Sequence, residues 1–233
     1  MKNFLDTLRI FVYTQFKCYF RNCNPRNYAA CGKHVQLFGP LNLEPSLVYL
    51  DDHVRLQPGI RMISTNGKLR VGKYTAIGAD CTIVPGAHVP TVGIPQFLSI
   101  YHINDADGDI VVEEDCWVGA GAYLLSHAHV GRGAIVAAGA IVTKQIPPYA
   151  VVAGSPAKII ASRFTIDQII EHESILYPSE ERMSRTELEQ LFNEYYTDKK
   201  SLGVSTLSPE AQALLAKACS ENDIPVFNSS PES

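Results

Sequence analysis

An aliphatic residue returns at every sixth position through the middle of this 233-residue chain, and few folds can use such a period. The run passes through Val112, Val118, Leu124, Val130, Val136 and Val142, and earlier through Val71, Ile77, Ile83 and Val89. A weaker run at Val35 and Leu41 slips by one residue to Val48, Val54 and Ile60. Four positions after the aliphatic residue stands a small one: Thr75, Cys81, Ala87, Cys116, Ala122, Ala128, Ala134 and Ala140. Three positions after it stand Asp80, Gly86, Asp115, Gly121, Gly133 and Gly139, residue types that tolerate positive φ. A helix needs apolar residues three and four apart, and a plain strand alternates by two. A short strand followed by a tight corner accounts for all three columns. Three such units make one triangular coil, and each coil buries its faces only by stacking on the next. The period leaves the hand of the coil open, although parallel crossovers are ordinarily right-handed.

The segment Val112 to Ile160, VEEDCWVGAGAYLLSHAHVGRGAIVAAGAIVTKQIPPYAVVAGSPAKII, resembles the hexapeptide-repeat acyltransferases. Within them it is similar to the sugar and xenobiotic O-acetyltransferases related to the maltose and nodulation-factor enzymes. The repeat signal spans roughly residues 35 to 155. The resemblance implies a mainly β chain: a left-handed parallel β-helix with a short N-terminal helix and C-terminal helices. The expected parts are an N-terminal helix and cap over 1–34, the coil over 35–160 with an excursion loop at 90–109, and a helical extension over 161–233 ending in a disordered tail, FNSSPES. It further implies a homotrimer with active sites between subunits, and an O-acetyltransferase whose co-substrate is acetyl-coenzyme A.

The regular period fails between Val89 and Val112, where PTVGIPQFLSIYHINDADGDIV is rich in turn formers. Long loops on a regular scaffold are often functional. In the resembling family such a loop carries a catalytic histidine, and the matching position is His102. Imidazole suits the reaction, because a sugar hydroxyl attacking a thioester must lose its proton near neutral pH. For the donor, Gly119, Ala120, Ala137 and Ala138 are small enough for a pantetheine arm to approach the backbone. Lys144, Lys158 and Arg163 are the cations available to phosphates. The last coil closes with Gly154-Ser155-Pro156-Ala157-Lys158, which matches the family's segment beside the coenzyme. Trp117, the only tryptophan, points outward from its column and is a candidate for lining the cleft between subunits.

Two other functions fit the same coil. His88 and His129, at the outward sixth position of their repeats, could join His102 in a zinc site like that of the γ-class carbonic anhydrases. His127-x-His129 does not match that family's arrangement, and no metal is expected. His127 itself falls in the turn column. The other function is a non-catalytic trimeric scaffold.

A net charge of −4 gives no basic field for nucleic acid. The six cysteines show neither zinc spacing nor a disulfide framework, and Cys81 and Cys116 sit in the small-residue column as corner packing. No apolar run is long enough to span a membrane. These features point to a cytoplasmic chain taking a small acceptor, a saccharide by resemblance. Apolar residues from Phe4 to Phe20 follow a helical stripe that is expected to cap the open end of the coil; the alternative is an interfacial membrane helix, with Lys2, Arg9, Lys17 and Arg21 at hand. Thr165–Tyr177 and Ser184–Tyr196 read as helices, the second opening on a capping box from Ser184 to Glu187. Ser208-Pro209 starts a third.

Overall fold

The computed structural model describes residues 4–63 and 66–225; the FNSSPES tail lies outside the described residues. The chain divides into two compact units, Met1–Ile160 and Ala161–Ser233.

In the first unit, short strands visit three parallel sheets in rotation, which is the triangular coil the period calls for. Face A stacks Val48–Leu50, Leu69–Val71, Ile110–Val112, His129–Val130 and Gln145–Ile146. Face B stacks Gln36–Leu37, Arg55–Leu56, Ala76–Ile77, Trp117–Val118, Ile135–Val136 and Ala150–Ala153. Face C stacks Arg61–Met62, Thr82–Val84, Tyr123–Leu125 and Ile141–Val142. Register is strict: Ile77 faces Val118, Val118 faces Val136, and Val136 faces Val152. All four are buried, and each contributes roughly 1.5–3 kcal/mol of apolar burial.

The corners explain the other two columns. His34, His53, Tyr74, Asp80, Asp115, His127 and Tyr149 all have φ between 53° and 65°, and Gly121, Gly133 and Gly139 have φ of 68–69°. A left-handed residue costs roughly 1–2 kcal/mol when it carries a Cβ. Past the first coil, however, the corner amides donate to carbonyls of the preceding coil: His53 N to Lys33 O, Tyr74 N to Asp52 O, Asp115 N to Lys73 O and Tyr149 N to Arg132 O, at 2.7–3.1 Å. Cys81 and Cys116 are buried at their corners and donate Sγ to Gly119 O and Gly131 O, each at 3.2 Å.

Two details of the period are corrected. In the early coils the residues in register are Leu50, Leu56 and Met62, which face Val71, Ile77 and Ile83. Val48, Val54 and Ile60 stand two positions before them and are fully buried, whereas Met62 is half-buried. A corner filled by a branched residue looks like a second aliphatic column. The one-residue slip between Leu41 and Val48 is real, and the added residue lies at the 3-10 turn Pro45–Leu47. Val89 is not a coil residue. Gly86–His88 turns away to pair antiparallel with Asp105–Asp107, and the coil resumes at Ile110–Val112.

The N-terminal expectation also changes. Helix α1, Phe4–Phe16, has no buried residue. Capping falls to the segment after it, where Leu41 N donates to Cys18 O and Asn22 Nδ2 donates to Leu41 O and Leu43 O at 2.8 and 2.9 Å.

The second unit holds α2 (Ile166–Leu176), α3 (Arg185–Tyr195) and α4 (Pro209–Asn222). Ser184 and Glu187 form the reciprocal capping box, and Ser208 caps α4 ahead of Pro209. Ile169 on α2 and Leu188 on α3 are fully buried, and the two helices are in contact.

Candidate active site

The excursion is a built element. His88 and Asp105 are direct cross-strand partners, so their side chains leave the same face of the hairpin. His102 ends the 3-10 helix Gln96–Tyr101 with φ 52° and ψ 41°, and donates its amide to Ser99 O. This left-handed cap reverses the chain and returns the imidazole to Asp105 three residues on. Asp105 Oδ1 lies 2.6 Å from His88 Nδ1, and Oδ2 lies 2.5 Å from His102 Nδ1. Val89 N to Asn104 O and Asn104 Nδ2 to Thr91 Oγ1 hold the base of the excursion.

One carboxylate therefore bridges two imidazoles. A carboxylate only accepts, so each Nδ1–H donates and each neutral ring presents Nε2 as acceptor. The bond from His88, then that from His102, holds the Asp105 carboxyl below its usual range. Both imidazoles are exposed while Asp105 is more covered. Such a group can take a proton from a hydroxyl brought to Nε2.

The structure brings some of the sequence candidates together and separates others. Gly119 and Ala120, with Ala137 and Ala138 directly above them, share the edge between faces B and C. A Cβ on Gly119 would lie 2.5 Å from Ala138 N, so coil packing alone demands this glycine. Gly119 N and Ala137 N are already donating, to Val136 O and Val152 O. Trp117 is exposed on face B, in register between Ala76 and Ile135. Lys144 and Lys158 are exposed in the first unit. Arg163 lies in the second unit, its guanidinium 4.7 Å over the Phe164 ring. His129 is held apart from the other histidines on face A, where its Nε2 meets Glu113 Oε1 at 2.6 Å. His127 is a corner residue at φ 63°. Asp105 and its bond to His88 were missed by the sequence reading. The His102-x-x-Asp105 spacing was visible, but the hairpin that adds His88 was not.

Residues 109–144 match the family model described as bacterial transferase hexapeptide, six repeats. The chain carries the hexapeptide repeat. Among curated proteins it is 40% identical over 117 residues to a chloramphenicol acetyltransferase of Agrobacterium fabrum, a match covering 44% of this chain and 55% of that one. It is 57% identical over 51 residues to a 2,3,4,5-tetrahydropyridine-2,6-dicarboxylate N-acetyltransferase of Staphylococcus aureus, covering 22% and 21%. The chain thus spans about half of the first relative and a fifth of the second. Among solved structures it resembles a galactoside acetyltransferase in complex with coenzyme A, with TM-score 0.56 and 16% identity, covering 79% of this chain and 92% of that one. At that identity the likeness concerns the fold of this hexapeptide-repeat chain. Among the described residues, no helix is long and apolar enough to cross a membrane.

Proposed function

We propose that this chain is an acyltransferase that moves an acetyl group from acetyl-coenzyme A to a hydroxyl of a sugar or another small acceptor. The observation that carries the reading is the Asp105 carboxylate bridging His88 and His102 on an excursion from a hexapeptide coil. The coil's hand is left, as the family resemblance implies. The matches to acetyltransferases, one of them bound to coenzyme A, support the donor.

His102 is the base. Its Nε2 takes the acceptor's proton as the hydroxyl oxygen bonds to the thioester carbonyl carbon. The C–S bond then breaks, and the departing thiolate receives the proton from the imidazolium. Asp105 fixes the tautomer and supports the transient positive charge. The pantetheine arm lies along the edge lined by Gly119, Ala120, Ala137 and Ala138, near Trp117, with Lys144 and Lys158 for the phosphates. The working form is a cytoplasmic homotrimer with its sites between subunits. Support for this comes from the bare apolar tip of the excursion, where Val92, Phe97, Ile100 and Tyr101 are exposed.

His102→Ala should lower thiol release from acetyl-coenzyme A in the presence of acceptor by about 10²–10⁴-fold, with circular dichroism unchanged. A fully active variant would refute His102 as base. The equivalent bond from His88 to Asp105 favours one second reading, in which His88 is the base. His88→Ala measured in the same assay separates the two.

A further inference from the structure

We propose that His88, His102 and Asp105 form a binding site for a borderline divalent cation such as zinc, and that occupancy silences acyl transfer. One ligand atom from each residue lies within 4.8 Å of the others. The backbone imposes this grouping. His88 and Asp105 are paired across the hairpin, and the left-handed cap at His102 turns the third ligand onto the same carboxylate. Zinc bound at about 2.0–2.1 Å by nitrogen and about 2.0–2.2 Å by oxygen needs ligand atoms roughly 3.3 Å apart. Rotation of exposed side chains supplies that closure without moving the coil.

The donor set selects the ion. Two imidazole nitrogens and one carboxylate oxygen suit zinc, nickel or copper, whereas calcium and magnesium require shells of oxygen. Three protein ligands leave positions open to water, and the exposure of both imidazoles lets an ion enter directly from solvent. No step of the proposed transfer needs the ion. Coordination would take imidazole lone pairs and break the Asp105 bridge, so the ion competes with the proton. Binding stands on this geometry alone; the inhibitory consequence rests on the function proposed above.

The test is calorimetric titration of the full chain with zinc sulfate at pH 7, beside His88→Ala, His102→Ala and Asp105→Asn. The parent should bind one ion per chain at this site, and each variant should bind at least about tenfold more weakly, in the range seen when a metal site loses a supporting group. Circular dichroism checks that each variant is folded. Parent protein that binds no zinc, or three variants that bind it as the parent does, would overturn the site. Acetyl transfer is measured separately on the parent with and without zinc. Binding without any transfer activity would leave the site standing and remove the proposed function. Transfer that continues unchanged with zinc bound would overturn the silencing.

Discussion

Gly119→Ala separates two reasons for a glycine at the edge of the coil. Its small size offers Gly119 to the coenzyme; the packing gives it to the neighbouring coil. An added Cβ would meet Ala138 N at 2.5 Å and Ala137 C and Ala138 Cα at 2.9 Å, against 3.4 Å where ordinary contact begins. All three atoms are backbone, so no side chain can swing aside. The two coils are also tied by Gly119 N to Val136 O at 2.7 Å. Relief therefore requires close to 1 Å of backbone displacement against that bond. Overpacking of this kind costs about 1–3 kcal/mol, and the rigidity of the obstruction places this case in the upper half. With a urea dependence of about 2 kcal/mol per M, the unfolding midpoint should fall by about 1 M at unchanged slope. Protein concentration is held fixed, because assembly would otherwise shift the midpoint. Gly121→Ala is the comparator. Its Cβ would meet nothing within 4 Å, but its φ is +68°, so only the left-handed strain of about 1–2 kcal/mol applies. A Gly119→Ala loss below about 0.5 kcal/mol would refute the packing account. Lost coenzyme affinity at unchanged stability would hand the glycine to the donor.

Three further outcomes follow from particular contacts. Asn22→Ala should destabilise the coil by about 1–3 kcal/mol in the same urea assay, because it strips the buried carbonyls of Leu41 and Leu43 of their donor; Leu5→Ser with Phe11→Ser, on the exposed α1, should change it by less than about 0.5 kcal/mol. Ser184→Ala removes the acceptor for Glu187 N and should cost the second unit about 1 kcal/mol, read from the thermal loss of helical ellipticity. The Asp105 carboxyl, lowered first by His88 and then by His102, contributes its stabilisation above the usual carboxylate value of 3.8 and loses it as pH falls through the lower folded value. Its carbon resonance in NMR should therefore titrate below 3.8 in the parent. In the His88→Ala/His102→Ala double variant it should move back up toward the ordinary carboxylate value.

Much of the coil was legible in one dimension because its contacts repeat. Val118 meets Ile77 and Val136 through the same six-residue unit that places every other strand, so the aliphatic, small and turn columns each have one physical cause. The capping box at Ser184 and the N-cap at Ser208 are local in the same way: donor and acceptor sit three residues apart. Legibility ended where one position could serve two columns. Val54 and Leu56 are both buried aliphatics, and only the ladder to Ile77 tells which one is in register. Val89 kept the spacing after its strand had left the coil, since spacing carries no record of a partner.

The six-residue period by itself determined the stacked triangular coil, because every hexad must fill the same interior and turn the same corner. It also located the excursion, as the place where that demand lapses. Only the tertiary structure decided what the excursion does with its side chains. His88 and Asp105 stand 17 residues apart and meet because two short strands pair antiparallel, a choice fixed by backbone hydrogen bonds. His102 joins them through a single left-handed residue. The chemistry proposed for this chain depends on that non-periodic meeting of three groups, which no local pattern encodes.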